Sequence, residues 1–156
     1  ARHHICIVDK KTGGIFTGDM FGLSYRELDV DGRPFIFPTT TPTQFEPQEM
    51  RQSILRLLSY NPEAMYLTHY SRVQNVHHLG EDLLRRLDVM VNLDLAEKDS
   101  GVDRHQRIKQ SQSDYLLGEI RAHGCQLDES LVIELLETDL ELNSQGLGVW
   151  LDAQKP

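Results

Sequence analysis

Apolar, largely β-branched residues bunch at Ile5 to Val8 and again at Ile15 to Thr17, with the polar run Asp9-Lys10-Lys11-Thr12-Gly13-Gly14 between them. Two short apolar runs around a polar turn that ends in glycines predict a hairpin. Residues 19–46 break this pattern. Gly22, Gly32, Pro34, Pro38, Pro42 and the run Thr39-Thr40-Thr41 forbid a long helix, and only Arg33 to Phe37 leaves room for a short strand. A loop of this length in a compact domain is usually functional or disordered. The aromatic side chains of Phe21, Tyr25, Phe35, Phe37 and Phe45 favour an ordered one.

The period then changes. Pro47 suits the first position of a helix, and Met50, Ile54, Leu57 and Leu58 recur at helical spacing until Asn61-Pro62 stops them. Ala64 to Thr68 reads as a strand. Ser71 is placed to cap a second helix whose apolar positions are Val73, Val76, Leu79, Leu83, Leu87 and Val91. Strand, helix, strand, helix is the α/β order, and the expected layout is a sheet with helices on one side. Past Leu95 the chain reads as all helix. A break at Asp99-Ser100-Gly101 precedes a helix through Ile108, Tyr115, Leu116 and Ile120 that ends at Gly124. Another opens at Leu127-Asp128 with Leu131, Leu135, Leu136 and Leu140 on one side. Gly146 and Gly148 are expected to interrupt it before a last turn around Trp150.

Charge sharpens the division. The chain has 156 residues, 39 % of them hydrophobic and 26 % charged, with a net charge of −8. Residues 1–93 hold 11 acids and 10 bases, whereas residues 94–156 hold 13 acids and 6 bases. The boundary is therefore set at 93/94, with an acidic helical extension beyond it. An acidic chain without a basic stripe is a poor nucleic-acid binder, and no apolar stretch has the length of a membrane span. Cys6 and Cys125, two and far apart, make neither a disulfide framework nor a zinc knuckle. Cys6 is read as a small core residue, and the expected compartment is the cytoplasm.

Candidate chemistry sits at two strand exits. Thr17-Gly18-Asp19 ends one apolar run and Leu67-Thr68-His69-Tyr70 ends another. Carboxylate oxygen and imidazole nitrogen together suit zinc, iron or manganese. The plainer alternative is that Asp19 caps a turn and His69 caps a helix. A catalytic metal also needs about three protein ligands and an open position, and only two are convincing. His3 is a conceivable substitute ligand or an exposed strand end. His77, His78 and Glu81 read as a helix-surface group, and His105 and His123 as exposed residues of the acidic half. Tyr25, Arg26 and Tyr70 could touch a substrate or merely pack.

Taken together, His3-His4-Ile5-Cys6-Ile7-Val8-Asp9, Ile15-Phe16-Thr17-Gly18-Asp19 and Tyr66-Leu67-Thr68-His69-Tyr70 resemble the C-terminal half of a metallo-β-lactamase-fold hydrolase, a superfamily that includes glyoxalase II-like thioesterases, lactonases and β-lactamases. The resemblance implies an α/β fold: the C-terminal half of an αββα sandwich over residues 1–93, followed by the all-helical tail. It implies that Asp19 bridges two divalent metals, zinc first and iron or manganese otherwise, and that His69 is a ligand of the second. His4 matches a histidine four residues after a ligand, which by that register would stand one position before Ala1. The family's His-x-His-x-Asp-His motif is not in this sequence, and the pair His77-His78 has the wrong spacing.

The expectation is thus a fragment of a metal-dependent hydrolase of thioesters, lactones or related acyl compounds, with a degenerate relative as the alternative. Its partners would be the missing N-terminal half and a small acyl substrate. Alone it would be inactive and hold no metal tightly. Two other readings stay open: an oxidoreductase like flavodiiron proteins or persulfide dioxygenases, and a non-catalytic module that associates with a copy of itself.

Overall fold

The computed structural model describes residues 4–40, 45–69 and 72–154. It is a mixed α/β structure in two compact units, one of residues 1–39 and 46–87, the other of residues 40–45 and 88–156.

The first unit is built on a four-stranded sheet. Strand β1 (Ile7–Asp9) pairs antiparallel with β2 (Gly14–Phe16), and the two are joined by the polar turn. β2 pairs in parallel with β3 (Ala64–Tyr66), and β3 antiparallel with β4 (Arg72–Val73), in the order β1-β2-β3-β4. Alternate residues point to opposite faces of a sheet. Val8, Ile15, Met65 and Val73 are in register on one face, and the last three are buried. Ile7, Phe16, Tyr66 and Arg72 are in register on the other, where Ile7 is 60 % and Phe16 49 % exposed.

Between β2 and β3 run the long loop and helix α1 (Pro47–Leu58). Pro47 opens α1, and Met50, Ile54, Leu57 and Leu58 form its buried face, as their spacing predicts. The loop is ordered around its own core: Phe21, Leu23, Leu28, Phe35, Ile36 and Phe37 are fully buried. The expected strand at Arg33 to Phe37 does not form. Only isolated bridges, Leu23 with Phe37 and Val30 with Arg33, join the two limbs, because Pro34 has no N–H to give a ladder. Gly22 is indispensable to this loop. Its φ is +69°, and a Cβ there would stand 2.3 Å from the Phe37 carbonyl oxygen.

Helix α2 (Val76–Ala96) starts later than its sequence suggests. Val73 lies in β4, and Asn75, at φ 55°, separates that strand from the helix. Ser71, the expected cap, lies outside the described residues. Leu79, Leu83 and Leu87 are buried on α2, and Gly80 makes room for Leu58, whose side chain would otherwise be 2.7 Å from a Cβ. Arg86 is 4 % exposed. Its Nη1 donates to the Ile36 carbonyl at 2.7 Å, its guanidinium lies 4.2 Å over the Phe35 ring, and Asp82 is 3.6 Å away. One cation thus ties the long loop to α2.

The units part between Leu87 and Asp88, within α2, so the charge shift at 93/94 also falls inside that helix. The second unit contains the rest of α2 with α3 (Arg104–His123) and α4 (Glu129–Ala153). Gly124, left-handed at φ 101°, ends α3 as predicted, with the Cys125 N–H on the Ile120 carbonyl at 3.2 Å. The expected break at Gly146 and Gly148 is absent, and α4 is continuous to Ala153. A glycine inside a helix costs only about 1 kcal/mol relative to alanine, and buried Leu147 and Leu151 outweigh it. Leu131, expected in the core, is 53 % exposed, and its neighbour Val132 is buried instead. Apolar residues are so dense along α4 that more than one stripe can be drawn through them.

Polar groups complete the second unit. Arg104 makes a two-pronged pair with Asp152 at 2.9 and 2.7 Å. Glu141 accepts from Lys109 and from Gln145, each at 2.9 Å, and these hydrogen bonds hold its carboxyl down at about 2, with His105 at 3.0 Å adding a smaller charge attraction. Asn143 is fully buried, and its Oδ1 accepts the Thr40 backbone N–H at 2.8 Å. Thr40 is thereby fastened to α4 within the second unit. Among the described residues, no helix is long and apolar enough to cross a membrane.

Candidate functional site

The site lies at the carboxyl ends of the two parallel strands. Phe16 of β2 is opposite Tyr66 of β3, and Asp19 and His69 each follow that pair by three residues. Parallel strands run the same way, so equal offsets bring both side chains to one edge of the sheet, where open α/β sheets commonly bind ligands. Thr17 fastens the two exits together. It is fully buried, its N–H donates to the Tyr66 carbonyl at 3.1 Å, and its hydroxyl lies 2.9 Å from the Gly18 carbonyl and 3.3 Å from that of Tyr66. Gly18, at φ 53°, turns the chain sharply in the left-handed region. Asp19 then stands in a short 3-10 turn, Gly18–Phe21.

The Asp19 carboxylate lies between two imidazoles. Its Oδ1 is 3.4 Å from His69 Nε2, and its Oδ2 is 3.6 Å from His4 Nδ1. The His4 side chain is 9 % exposed, that of Asp19 28 % and that of His69 51 %, so the group grades from the interior to solvent. Oδ1 is a buried atom with no hydrogen-bond partner among the described residues. A separation of 3.4 Å is long for an N–H···O bond. It matches the spacing of two donors on one tetrahedral metal, about 3.4 Å for bonds of ~2.1 Å. Asp19 and His69 therefore fit two corners of a metal site. They do not complete one: no cluster of three or more His, Cys, Asp and Glu arranged to hold a metal occurs among the described residues.

The other candidates are placed elsewhere or lie outside the description. Tyr25 is buried and stacks on Phe37, with ring centroids 6.2 Å apart. Arg26 is held within its own loop by the Ser24 hydroxyl at 2.5 Å and Asp29 at 3.1 Å. Neither is paired with Asp19 among the described residues. Tyr70 and His3 lie outside the described residues. His78 sits 3.9 Å from Asp82 on α2. Cys6 is half-buried just before β1, rather than in the core. Its Sγ lies 3.1 Å from the Thr17 carbonyl, and burial pushes its thiol up.

A neighbouring groove escaped the reading of the sequence. Cys6, Val8, Met20 and His4 form one side, and Ser53, Arg56, Leu57 and Tyr60 of α1 and its end form the other. The available signal was the i, i+4 pair Arg56 and Tyr60 beside buried Leu57. No family model, curated protein or solved structure matches the chain.

Proposed function

We propose that this chain supplies part of the active site of a metal-dependent hydrolase acting on ester-like bonds: thioesters, lactones or related acyl compounds. The observation that carries the reading is Asp19 Oδ1, buried and without a hydrogen bond among the described residues, 3.4 Å from His69 Nε2 at the shared end of β2 and β3. Asp19 would bridge two divalent ions, zinc in the first place and iron or manganese otherwise, with His69 on the second. When bound, such ions supply a water of lowered pKa and polarise the carbonyl under attack. His4, nearly buried beside Oδ2, orients the Asp19 carboxylate. Thr17 and Gly18 hold its backbone at the strand exit.

A full ligand shell requires donors beyond these two. We therefore propose that the working protein includes a further half carrying the remaining histidines, within a complete αββα sandwich. The sheet face with Ile7 60 % and Phe16 49 % exposed supports this, since large exposed apolar patches mark contact surfaces. The same face also supports a second reading, a module that associates with its own copy. The cytoplasm is the proposed compartment, in keeping with the absence of a disulfide among the described residues.

The test is metal analysis with thioester and lactone assays on this chain and on the product of the complete reading frame. The expected result is two metals and turnover in the complete product, both abolished by Asp19→Ala, and neither in the chain alone. Turnover insensitive to Asp19→Ala, or a complete product that takes up no metal, overturns the reading. Sedimentation of the chain alone decides the second one: a dimer that Phe16→Glu dissociates supports self-association, and a monomer removes it.

A further inference from the structure

The groove between β1 and α1 has a volume of about 220 Å³. At ~30 Å³ per water, that is the space of about seven waters, below the ~300 Å³ where drug-sized sites begin. Its chemistry is divided. Val8, Met20 and Leu57 are its apolar lining residues, and Arg56 and Tyr60 stand on the side formed by α1 and its end. No carboxylate pairs with the Arg56 guanidinium among the described residues, whereas Arg26, Arg85, Arg86, Arg104, Arg107 and Arg121 all have acidic partners. The single acid of α1, Glu49, lies two turns back from Arg56.

We propose that this groove binds a short-chain carboxylate, with the anionic head on Arg56 and the alkyl body over Val8, Met20 and Leu57. A guanidinium presents a planar fork that matches a carboxylate with two parallel hydrogen bonds. The Tyr60 hydroxyl adds a neutral donor on the same side. The small volume limits the body to a chain of a few carbons, and the apolar lining disfavours a second charge. The site adjoins the Asp19–His69 pair but stands without the hydrolase reading. The two share His4, which borders the groove and faces Asp19.

The experiment is titration of the ¹⁵N-labelled chain with sodium hexanoate, with hexylamine and hexanol as controls, read by amide chemical shifts. Saturable shifts clustered at residues 6–8 and 53–60 are expected with hexanoate and not with hexylamine. Arg56→Gln should weaken binding at least tenfold, and Arg56→Lys should weaken it less. Arg56 is exposed on α1, so both variants should keep the parent's far-UV spectrum, which is recorded alongside. No saturable response to hexanoate, equal binding of amine or alcohol, or unchanged affinity in Arg56→Gln would each overturn the proposal.

Discussion

Asp94 is fully buried in the second unit, and its carboxylate meets one polar neighbour, the Gln112 amide nitrogen, at 3.0 and 3.2 Å. Gln112 is equally buried, and its Oε1 has no partner among the described residues. Burial pushes the Asp94 carboxyl up to about 7, against the smaller opposing effect of the Gln112 hydrogen bond. In the unfolded chain the group should titrate near 3.9. The folded state therefore prefers the protonated acid, and the sign follows. Asp94 does not weaken the fold below about pH 4. Its penalty grows as pH rises through the interval up to about 7 and is constant above that. At 1.36 kcal/mol per unit, the interval of about three units amounts to about 4 kcal/mol at pH 8. Asp94→Asn removes the titration and keeps the shape. The new amide can accept from Gln112 Nε2 and offer an N–H to the unpartnered Oε1. The variant should be more stable than the parent by a few kcal/mol at pH 8 and about equal to it at pH 4. Urea unfolding at a series of pH values measures this. Trp150 in α4 is the chain's single tryptophan, so its fluorescence reports the second unit. A variant less stable than the parent at pH 8, or one whose pH dependence matches the parent's, would refute the reasoning.

Two further substitutions probe the first unit. Gly22→Ala forces a side chain into a left-handed position 2.3 Å from the Phe37 carbonyl; a loss of about 2–3 kcal/mol is expected in urea unfolding followed by circular dichroism, and an unchanged midpoint would contradict the packing of the loop. Arg86→Ala leaves the Ile36 carbonyl without its buried donor and removes the cation from the Phe35 ring; it should cost about 3 kcal/mol and speed amide exchange at residues 35–37, and protection equal to the parent's would show that the loop holds itself.

What the sequence made legible was local. Pro47 with Met50, Ile54 and Leu57 marked α1, and Gly124 marked the end of α3, because each signal lies within a turn or two of the structure that it determines. Asp19 and His69 could be paired on paper because each ends an apolar run. The register of Phe16 with Tyr66 supplies the reason that they meet. Long-range contacts were not legible. Val73 carried the helical period but serves β4, since pairing with Met65 decides its conformation. Nothing near Asp94 in the chain announces Gln112 as its neighbour. Leu131 and Val132 are indistinguishable by period in a helix this apolar, and only the packing of α4 selects one of them. The groove beside His4 combines residues from β1, the turn after β2 and α1, which no spacing rule joins.

The hydrogen bond from Thr40 to Asn143 spans 103 positions of chain, and it makes the helical unit discontinuous. Residues 40–45 are its first contribution and are followed by more than forty residues of the other unit before α2 brings the chain back. A single cut at Leu87 therefore cannot release an intact helical domain; it leaves Asn143 buried without Thr40. During synthesis, the early piece must wait for α4 before its hydrogen bonds can close. The helical half is thus tied to the sheet half by order of assembly, and an insertion or shuffled domain boundary anywhere between residues 46 and 87 would lengthen the span that this one contact has to bridge.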